Sequence, residues 1–145
     1  MKKMTPFVTI LSVALLLALS ACASSGPSLV GTSWKLTSYG SVSSQTPAAP
    51  GIETSLTFGA DGTLDGNLGC NSMGGNYSIS GQGIKLMGIL STMMACDEPR
   101  MTQEGIAFKV LKSDDTVSFK LDGNTLTITS ADGKNALIFT AIATK

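Results

Sequence analysis

The three cysteines, Cys22, Cys70 and Cys96, are the residues of this sequence with the clearest capacity for chemistry. The sequence contains no histidine. A Ser-His-Asp or Cys-His catalytic site needs an imidazole as its base, and the common histidine-containing metal sites need one as a ligand. These classes of site are therefore excluded, and we expect no cofactor and no metal.

The first cysteine follows a segment typical of a secretion signal. Lys2 and Lys3 precede a nearly continuous apolar run over residues 7–19. At 1.5 Å per residue this run is too short for a bilayer core, which needs about 20 residues. The pattern predicts that residues 1–21 form a removable signal peptide rather than a permanent membrane helix.

The junction Leu-Ser-Ala-Cys at residues 19–22 resembles the lipobox of bacterial lipoprotein precursors. The resemblance implies cleavage between Ala21 and Cys22, and a diacylglyceryl group on the Cys22 sulfur that holds the chain on the membrane. An ordinary signal peptide with a cysteine there by chance is the alternative. Because Ala23 rather than aspartate follows, the resemblance favours the outer membrane, facing the periplasm, if the host is Gram-negative.

The other two cysteines, Cys70 and Cys96, form an even pair in a compartment that is oxidising if the protein is exported. We predict that they form a disulfide. Such a bond would stabilise the fold by roughly 3 to 4 kcal/mol in the chain-entropy model. Two free buried thiols, or half of a metal site, are the competing interpretations.

Acid–base chemistry without histidine would have to use carboxylates. Asp65, Asp97 and Glu104 are the candidates for a hydrolase acting on an envelope substrate, although no two of them have a recognisable catalytic spacing. We therefore expect no enzymatic activity and keep the carboxylate hydrolase as the alternative. Ten basic residues balance ten acidic ones, which disfavours nucleic-acid binding.

Methionines are frequent and could suggest a soft copper site. They show no Met-x-Met clustering, and thioether side chains adapt well to irregular gaps, so we predict that they fill the core. The methionines in question are Met73, Met87, Met93, Met94 and Met101.

The elements that must position these residues are mainly strands. Residues 22–28 are predicted to be the lipidated cysteine and a flexible tether. Residues 29–145 are expected to form one domain in which apolar and polar residues alternate. Turn signals with glycine after aspartate separate the runs and predict antiparallel hairpins. Residues 41–51 are predicted to be an exposed loop. The alternating apolar residues are Trp34 and Leu36; Leu56 and Phe58; Tyr77 and Ile79; Val117, Phe119 and Leu121; and Leu126 and Ile128.

A single helix is predicted over residues 99–111, with Asp97 as its cap and Pro99 in its first turn. Its expected core face contains Met101, Ala107, Phe108 and Leu111. One helix among strands predicts an α+β fold, with a strongly curved antiparallel sheet or partly open β-barrel and one packed α-helix.

Two polar residues are candidate motif or ligand contacts. Glu104 lies on the core side of the predicted helix, where it should be satisfied either by a hydrogen bond to backbone or hydroxyl, or as a polar spot in a ligand pocket. Asn71 is flanked by Gly69 and by glycines 74 and 75, which favours a turn locked by a disulfide over a ligand contact.

Three segments together resemble the META domain of HslJ-type bacterial lipoproteins. They are residues 58–62 (Phe-Gly-Ala-Asp-Gly), 69–77 (Gly-Cys-Asn-Ser-Met-Gly-Gly-Asn-Tyr) and 92–96 (Thr-Met-Met-Ala-Cys), followed by Glu104 and Phe108. The resemblance implies the same cysteine pairing and one helix on a strongly curved antiparallel sheet. It also implies association with the cell envelope and with stress or antibiotic tolerance, without an established catalytic activity.

Together these observations predict a membrane-anchored envelope lipoprotein with a non-catalytic domain. Its expected role is that of a binding module, or of an envelope-stress or stability module, with an envelope protein, a peptide or a lipid as the possible ligand. A chaperone-like stability module would expose an apolar patch larger than a few hundred Å².

Overall fold

A computed structural model describes residues 26–143 of the chain, which form nine strands and one helix. The signal peptide and Cys22 lie outside the described residues. In chain order the elements are β1 (Ser33–Ser41), β2 (Ser44–Pro47), β3 (Ser55–Phe58), β4 (Thr63–Asn67), β5 (Ser72–Ser80), β6 (Gly83–Ser91), α1 (Glu98–Val110), β7 (Thr116–Asp122), β8 (Thr125–Thr129) and β9 (Asn135–Ala141).

Eight of the strands close into an antiparallel barrel. Strands β3 to β9 pair in sequence order, β3 pairs with β1, and β1 pairs with β9 from Trp34 to Ser41. The short strand β2 is a ninth member that adds to β1. The predicted α+β class and curved antiparallel sheet are confirmed, and the barrel is closed rather than partly open because β9 covers the edge of β1.

The predicted loop over residues 41–51 contains β2, which the sequence did not indicate. Residues 44–47 have no apolar alternation, and their strand conformation comes from pairing with residues 38–41 of β1. Backbone pairing with an existing strand edge therefore decides their conformation.

Period-two alternation places apolar side chains of the eight barrel strands inside the barrel. Trp34, Phe58 and Phe139 are fully buried. Tyr77 packs edge-on against Phe58 with ring centroids 5.0 Å apart, and its hydroxyl donates to the Gly59 carbonyl at 2.7 Å. The pKa of Tyr77 is raised, mainly because the side chain is buried and to a smaller extent because the Asp61 charge lies nearby.

Tight turns connect the strands as the sequence predicts. Gly62, Gly123 and Gly133 have φ values of 85°, 55° and 71°, which glycine adopts without steric cost. Because neighbouring strands are antiparallel, the turns at 59–62, 81–82 and 123–124 lie at one end of the barrel, here called the hairpin end.

The opposite end, here called the helix end, carries helix α1. The Asp97 side chain accepts a hydrogen bond from the Arg100 amide, so the predicted N-cap is confirmed. The buried residues of α1 are Gln103, Glu104, Ala107 and Val110. Among residues 26–143, no helix is both long enough and apolar enough to cross a bilayer.

The predicted core face of the helix is partly wrong. Ala107 and Leu111 are buried, whereas Met101 is 40% exposed and Phe108 is half-buried. The helix is rotated toward its polar residues because Gln103 and Glu104 hydrogen-bond to the barrel beneath them.

Close approach of α1 to the barrel depends on Gly69. A Cβ at this position would lie 2.6 Å from the Arg100 carbonyl oxygen and 2.9 Å from the Glu104 Cβ. Real Cβ atoms do not approach backbone so closely, so a side chain here would push the helix away from the barrel end.

We therefore expect Gly69→Ala to lower the free energy of unfolding by about 1 to 3 kcal/mol, the usual cost of overpacking. Gly105→Ala, in helix α1 itself, is the matched control. Apart from the backbone of its own helix and its two chain neighbours, a Cβ at residue 105 would have no atom within 4 Å, and alanine has a higher helix propensity than glycine. This control substitution should raise stability by up to about 1 kcal/mol. Urea unfolding of both variants measures the difference, and equal effects would contradict the close-approach argument.

Candidate functional site

The predicted disulfide is present at the helix end of the barrel. Cys70, just before β5, is bonded to Cys96, just before α1, with their Cα atoms 5.9 Å apart. The two sulfur atoms are bonded to each other, so Cys70 and Cys96 are neither free thiols nor ligands of a metal ion. The bond closes a loop across a sequence separation of 26 residues that contains the whole β5–β6 hairpin.

Glu104 ties the helix to the residues beside this disulfide. Its Oε2 accepts hydrogen bonds from the backbone amides of Cys70 at 2.8 Å and Asn71 at 2.5 Å, and its Oε1 accepts from the Asn71 side-chain amide at 2.6 Å. The residue is only 4% exposed. The predicted placement of Glu104 on the core side is confirmed, and its main partners are backbone amides.

Asn71 carries these contacts onward to the segment between β6 and α1. Its Oδ1 accepts from the Thr92 hydroxyl at 2.8 Å and from the Met94 amide at 2.7 Å, while its Nδ2 also donates to the Met94 carbonyl at 3.3 Å. Asn71 does not adopt a left-handed backbone. Instead of a local turn, its side chain bridges segments more than 20 residues apart in the chain.

Gln103 is a structural residue that the sequence analysis missed. It is fully buried, its Nε2 donates to the Leu68 carbonyl at 2.7 Å, and its Oε1 accepts from the Ala49 amide at 2.8 Å. Its spacing from Ala107 and Val110 follows one helix face, which is the signal that could have identified it.

Around this polar cluster runs a shallow surface groove of about 350 Å³, here called the methionine groove. It is lined by residues 91–95, by Asn71 and by the helix residues Met101, Glu104 and Phe108. Met93 is 97% exposed, and Met94 is 55% exposed.

The prediction that the methionines fill the core is wrong for most of them. Only Met73 is buried, whereas the side chains of Met87, Met93, Met94 and Met101 are at least 36% exposed. For Met94 the reason is visible in the hydrogen bonds. Both of its backbone polar groups are held by Asn71, so the segment stays in place without burying its side chains.

The carboxylates considered for catalysis lie on different elements. Asp65 is exposed in β4, Asp97 caps α1, and both oxygens of Glu104 are occupied by donors of the protein itself. Within residues 26–143, no cluster of three or more His, Cys, Asp or Glu side chains could hold a metal ion.

We expect Glu104→Gln to lower the free energy of unfolding by about 1.5 to 3 kcal/mol, the range for a hydrogen bond to a charged group. In either orientation of the glutamine side chain, its NH2 group would face a donor, which is either the two backbone N–H groups or the Asn71 Nδ2. Two donors cannot form a hydrogen bond with each other. Glu53→Gln is the control, because Glu53 is exposed and such substitutions usually change stability by less than about 0.5 kcal/mol. Equal midpoints in urea for the two variants would show that the Glu104 contacts contribute nothing.

Solved structures similar to this chain share its fold. An NMR structure of a protein from Burkholderia xenovorans is 22% identical, with a TM-score of 0.65, and covers 80% of this chain and 85% of that chain. A second NMR structure is 20% identical, with a TM-score of 0.58 and coverage of 75% and 87%. A crystal structure of a DUF4847 family protein from Bacteroides vulgatus is 14% identical, with a TM-score of 0.55 and coverage of 81% and 96%.

No curated protein matches the chain. At these identities the solved structures establish the barrel fold alone. The META domain family, in contrast, matches residues 27–142, which include every strand, the helix and the disulfide. The matched range also contains the three segments that resemble this family, and the chain belongs to the META domain family.

Proposed function

We propose that this protein is a lipid-anchored envelope lipoprotein whose META domain is a non-catalytic binding module for an envelope protein. The observation that carries the proposal is the exposure of Met93 and Met94 beside a groove built on a cross-linked scaffold. The partner is expected to place an apolar segment in the methionine groove.

The groove is apolar where it is most exposed. Met93 and Met94, which line it, are 97% and 55% exposed. Leu90, just before the lining residues in the chain, is 76% exposed. Contiguous exposed apolar side chains of this kind typically mark interaction sites in soluble domains. Methionine suits such a surface because its flexible thioether side chain fits partners of different shapes.

The scaffold beneath the groove favours binding over conformational change. Asn71 holds residues 92–94 through three hydrogen bonds, and the disulfide holds residue 96. A surface held in its bound conformation loses less conformational entropy when a partner binds, which raises affinity. The same property would serve an envelope-stress role in which the module holds exposed apolar segments of damaged proteins.

The anchor is the second part of the proposal. The sequence pattern before Cys22 supports acylation of that cysteine, and Ala23 supports the outer membrane, facing the periplasm, in a Gram-negative host. A short link from the lipid would concentrate the module where envelope proteins are inserted and folded.

We expect Cys22→Ser to release the protein from the membrane fraction, because acylation needs the cysteine sulfur. Fractionation of cells that express the wild-type chain and the variant tests this, and mass spectrometry should find a diacylglyceryl group on Cys22 only in the wild type. Ser24→Ala is the control and should leave the protein in the membrane fraction. Equal amounts of wild type and Cys22→Ser in membranes would contradict the anchor.

We expect Met93→Asp to abolish capture of the partner, because a desolvated carboxylate opposes burial against apolar surface. The wild-type chain, Met93→Asp and Val42→Asp are each recovered from membranes after mild cross-linking, and captured proteins are identified by mass spectrometry. Val42 is 56% exposed in the β1–β2 turn and serves as the matched control. A partner lost only with Met93→Asp supports the groove, whereas equal capture by all three proteins overturns it.

A further inference from the structure

Within residues 26–143, strand β6 has an edge next to the methionine groove that no other strand covers. With β5 it pairs as far as Ser91, but with β7 it pairs only over residues 83–85. The chain before β7 continues along this edge for a short distance. The Leu86 amide donates to the Asp115 carbonyl, and the Asp114 amide donates to the Leu86 carbonyl. The Ile89 amide donates to the Ser113 hydroxyl. Beyond Ile89, the groove begins.

The hydrogen-bond pattern shows which way the Ser91 backbone points. Ser91 is paired with Met73, and the Thr92 amide donates to the Ser72 carbonyl at 3.0 Å. In an antiparallel ladder this bond identifies Met73 and Ser91 as a non-hydrogen-bonded pair. The N–H and C=O of Ser91 therefore point away from β5, and Ser91 itself lines the groove.

A strand edge and a helix therefore both line this groove. Met101 and Phe108 of α1 line the same groove as Ser91. An extended peptide in this position would pair its backbone with Ser91 and place alternate side chains against the apolar residues that line the groove. Strand addition of this kind derives affinity from main-chain hydrogen bonds and specificity from pockets for alternate side chains.

The position of Gly26, the first described residue, and the lipid anchor proposed at Cys22 together argue that the occupant is not the membrane. Gly26 packs against the Gly123 carbonyl at the hairpin end, where a Cβ on Gly26 would lie only 2.9 Å from that oxygen. Only residues 23–25 separate Gly26 from Cys22, and four extended residue steps span at most about 14 Å.

The hairpin end is therefore held close to the lipid, and the groove lies at the other end of the barrel. Strand β5 alone runs nine residues between the two ends, which corresponds to about 26 Å at the usual rise per residue. The methionine groove consequently faces away from the membrane that carries the anchor, toward soluble or transiently unfolded envelope protein.

We infer that the methionine groove binds an extended apolar peptide segment of an envelope protein, which adds as a strand to the edge of β6 at Ser91. The inference rests on the function proposed above and adds the form of the ligand. The groove volume of about 350 Å³ suits a few side chains and lies at the lower end of the range for ligand pockets.

The test uses random nonapeptides displayed on phage, selected against the mature chain as isolated from membranes. Retained sequences should alternate apolar and polar residues, and Met93→Asp should reduce their binding at least tenfold while Val42→Asp leaves it unchanged. N-methylation of the peptide nitrogens on the β6-facing edge should also reduce binding at least tenfold, whereas N-methylation of the alternate nitrogens should not.

A second measurement needs no variant. Hydrogen exchange followed by mass spectrometry with single-residue fragmentation should show the Ser91 amide slowing at least tenfold when peptide is bound. The amide of Val42 should exchange at an unchanged rate.

The outcomes separate this inference from the proposed function. Binding that Met93→Asp abolishes, with no slowing at Ser91 and no effect of N-methylation, would overturn strand addition and leave the binding module intact. Failure to retain any peptide would overturn the inference. Vesicles of phosphatidylethanolamine and phosphatidylglycerol that bind Cys22→Ser but not a Cys22→Ser/Met93→Asp double variant would also overturn it and identify lipid as the occupant.

Discussion

The carboxylate of Glu104 is the interaction on which the rest of the helix end depends. It lies beneath α1 with three N–H donors around it, two from the backbone just before β5 and one from Asn71. A buried carboxylate is costly unless it is hydrogen-bonded, so the helix is stable only in the orientation that brings Glu104 to these donors. This constraint explains why α1 turns Met101 outward.

The same polar cluster holds the segment that lines the methionine groove. A surface segment usually stays ordered by burying apolar side chains, but residues 92–96 are held by Asn71 and by the disulfide. Their apolar side chains are consequently available to a partner. Covalent and polar contacts therefore provide the order that hydrophobic burial provides elsewhere in the barrel, where Trp34 and Phe139 are fully enclosed.

Much of the barrel could be predicted from local patterns. The alternation at Trp34 and Leu36, and at Leu126 and Ile128, predicts strands that the structure contains, and the glycines of three turns have the expected positive φ. Strands β4, β6 and β9 were not among the predicted runs. In β6 the ladder has an irregularity at Gly88, opposite Gly75, which breaks the simple alternation of Ile84 and Leu86.

The sequence by itself determined the strand periodicity, the position of the helix and the pairing of Cys70 with Cys96. These depend on neighbouring residues, on cap chemistry and on the two cysteines that remain once Cys22 is predicted to be acylated. Only the tertiary structure decided that β1 and β9 close the barrel and that β2 forms on the edge of β1. It also decided that Gln103 is buried and that Met93 is exposed. The physical reason is that the hydrogen-bond partners of the buried helix residues, such as Leu68 for Gln103 and Cys70 for Glu104, lie more than 30 residues away in the chain. Helical spacing can therefore indicate a buried face, but it does not identify the contacts that hold that face in place.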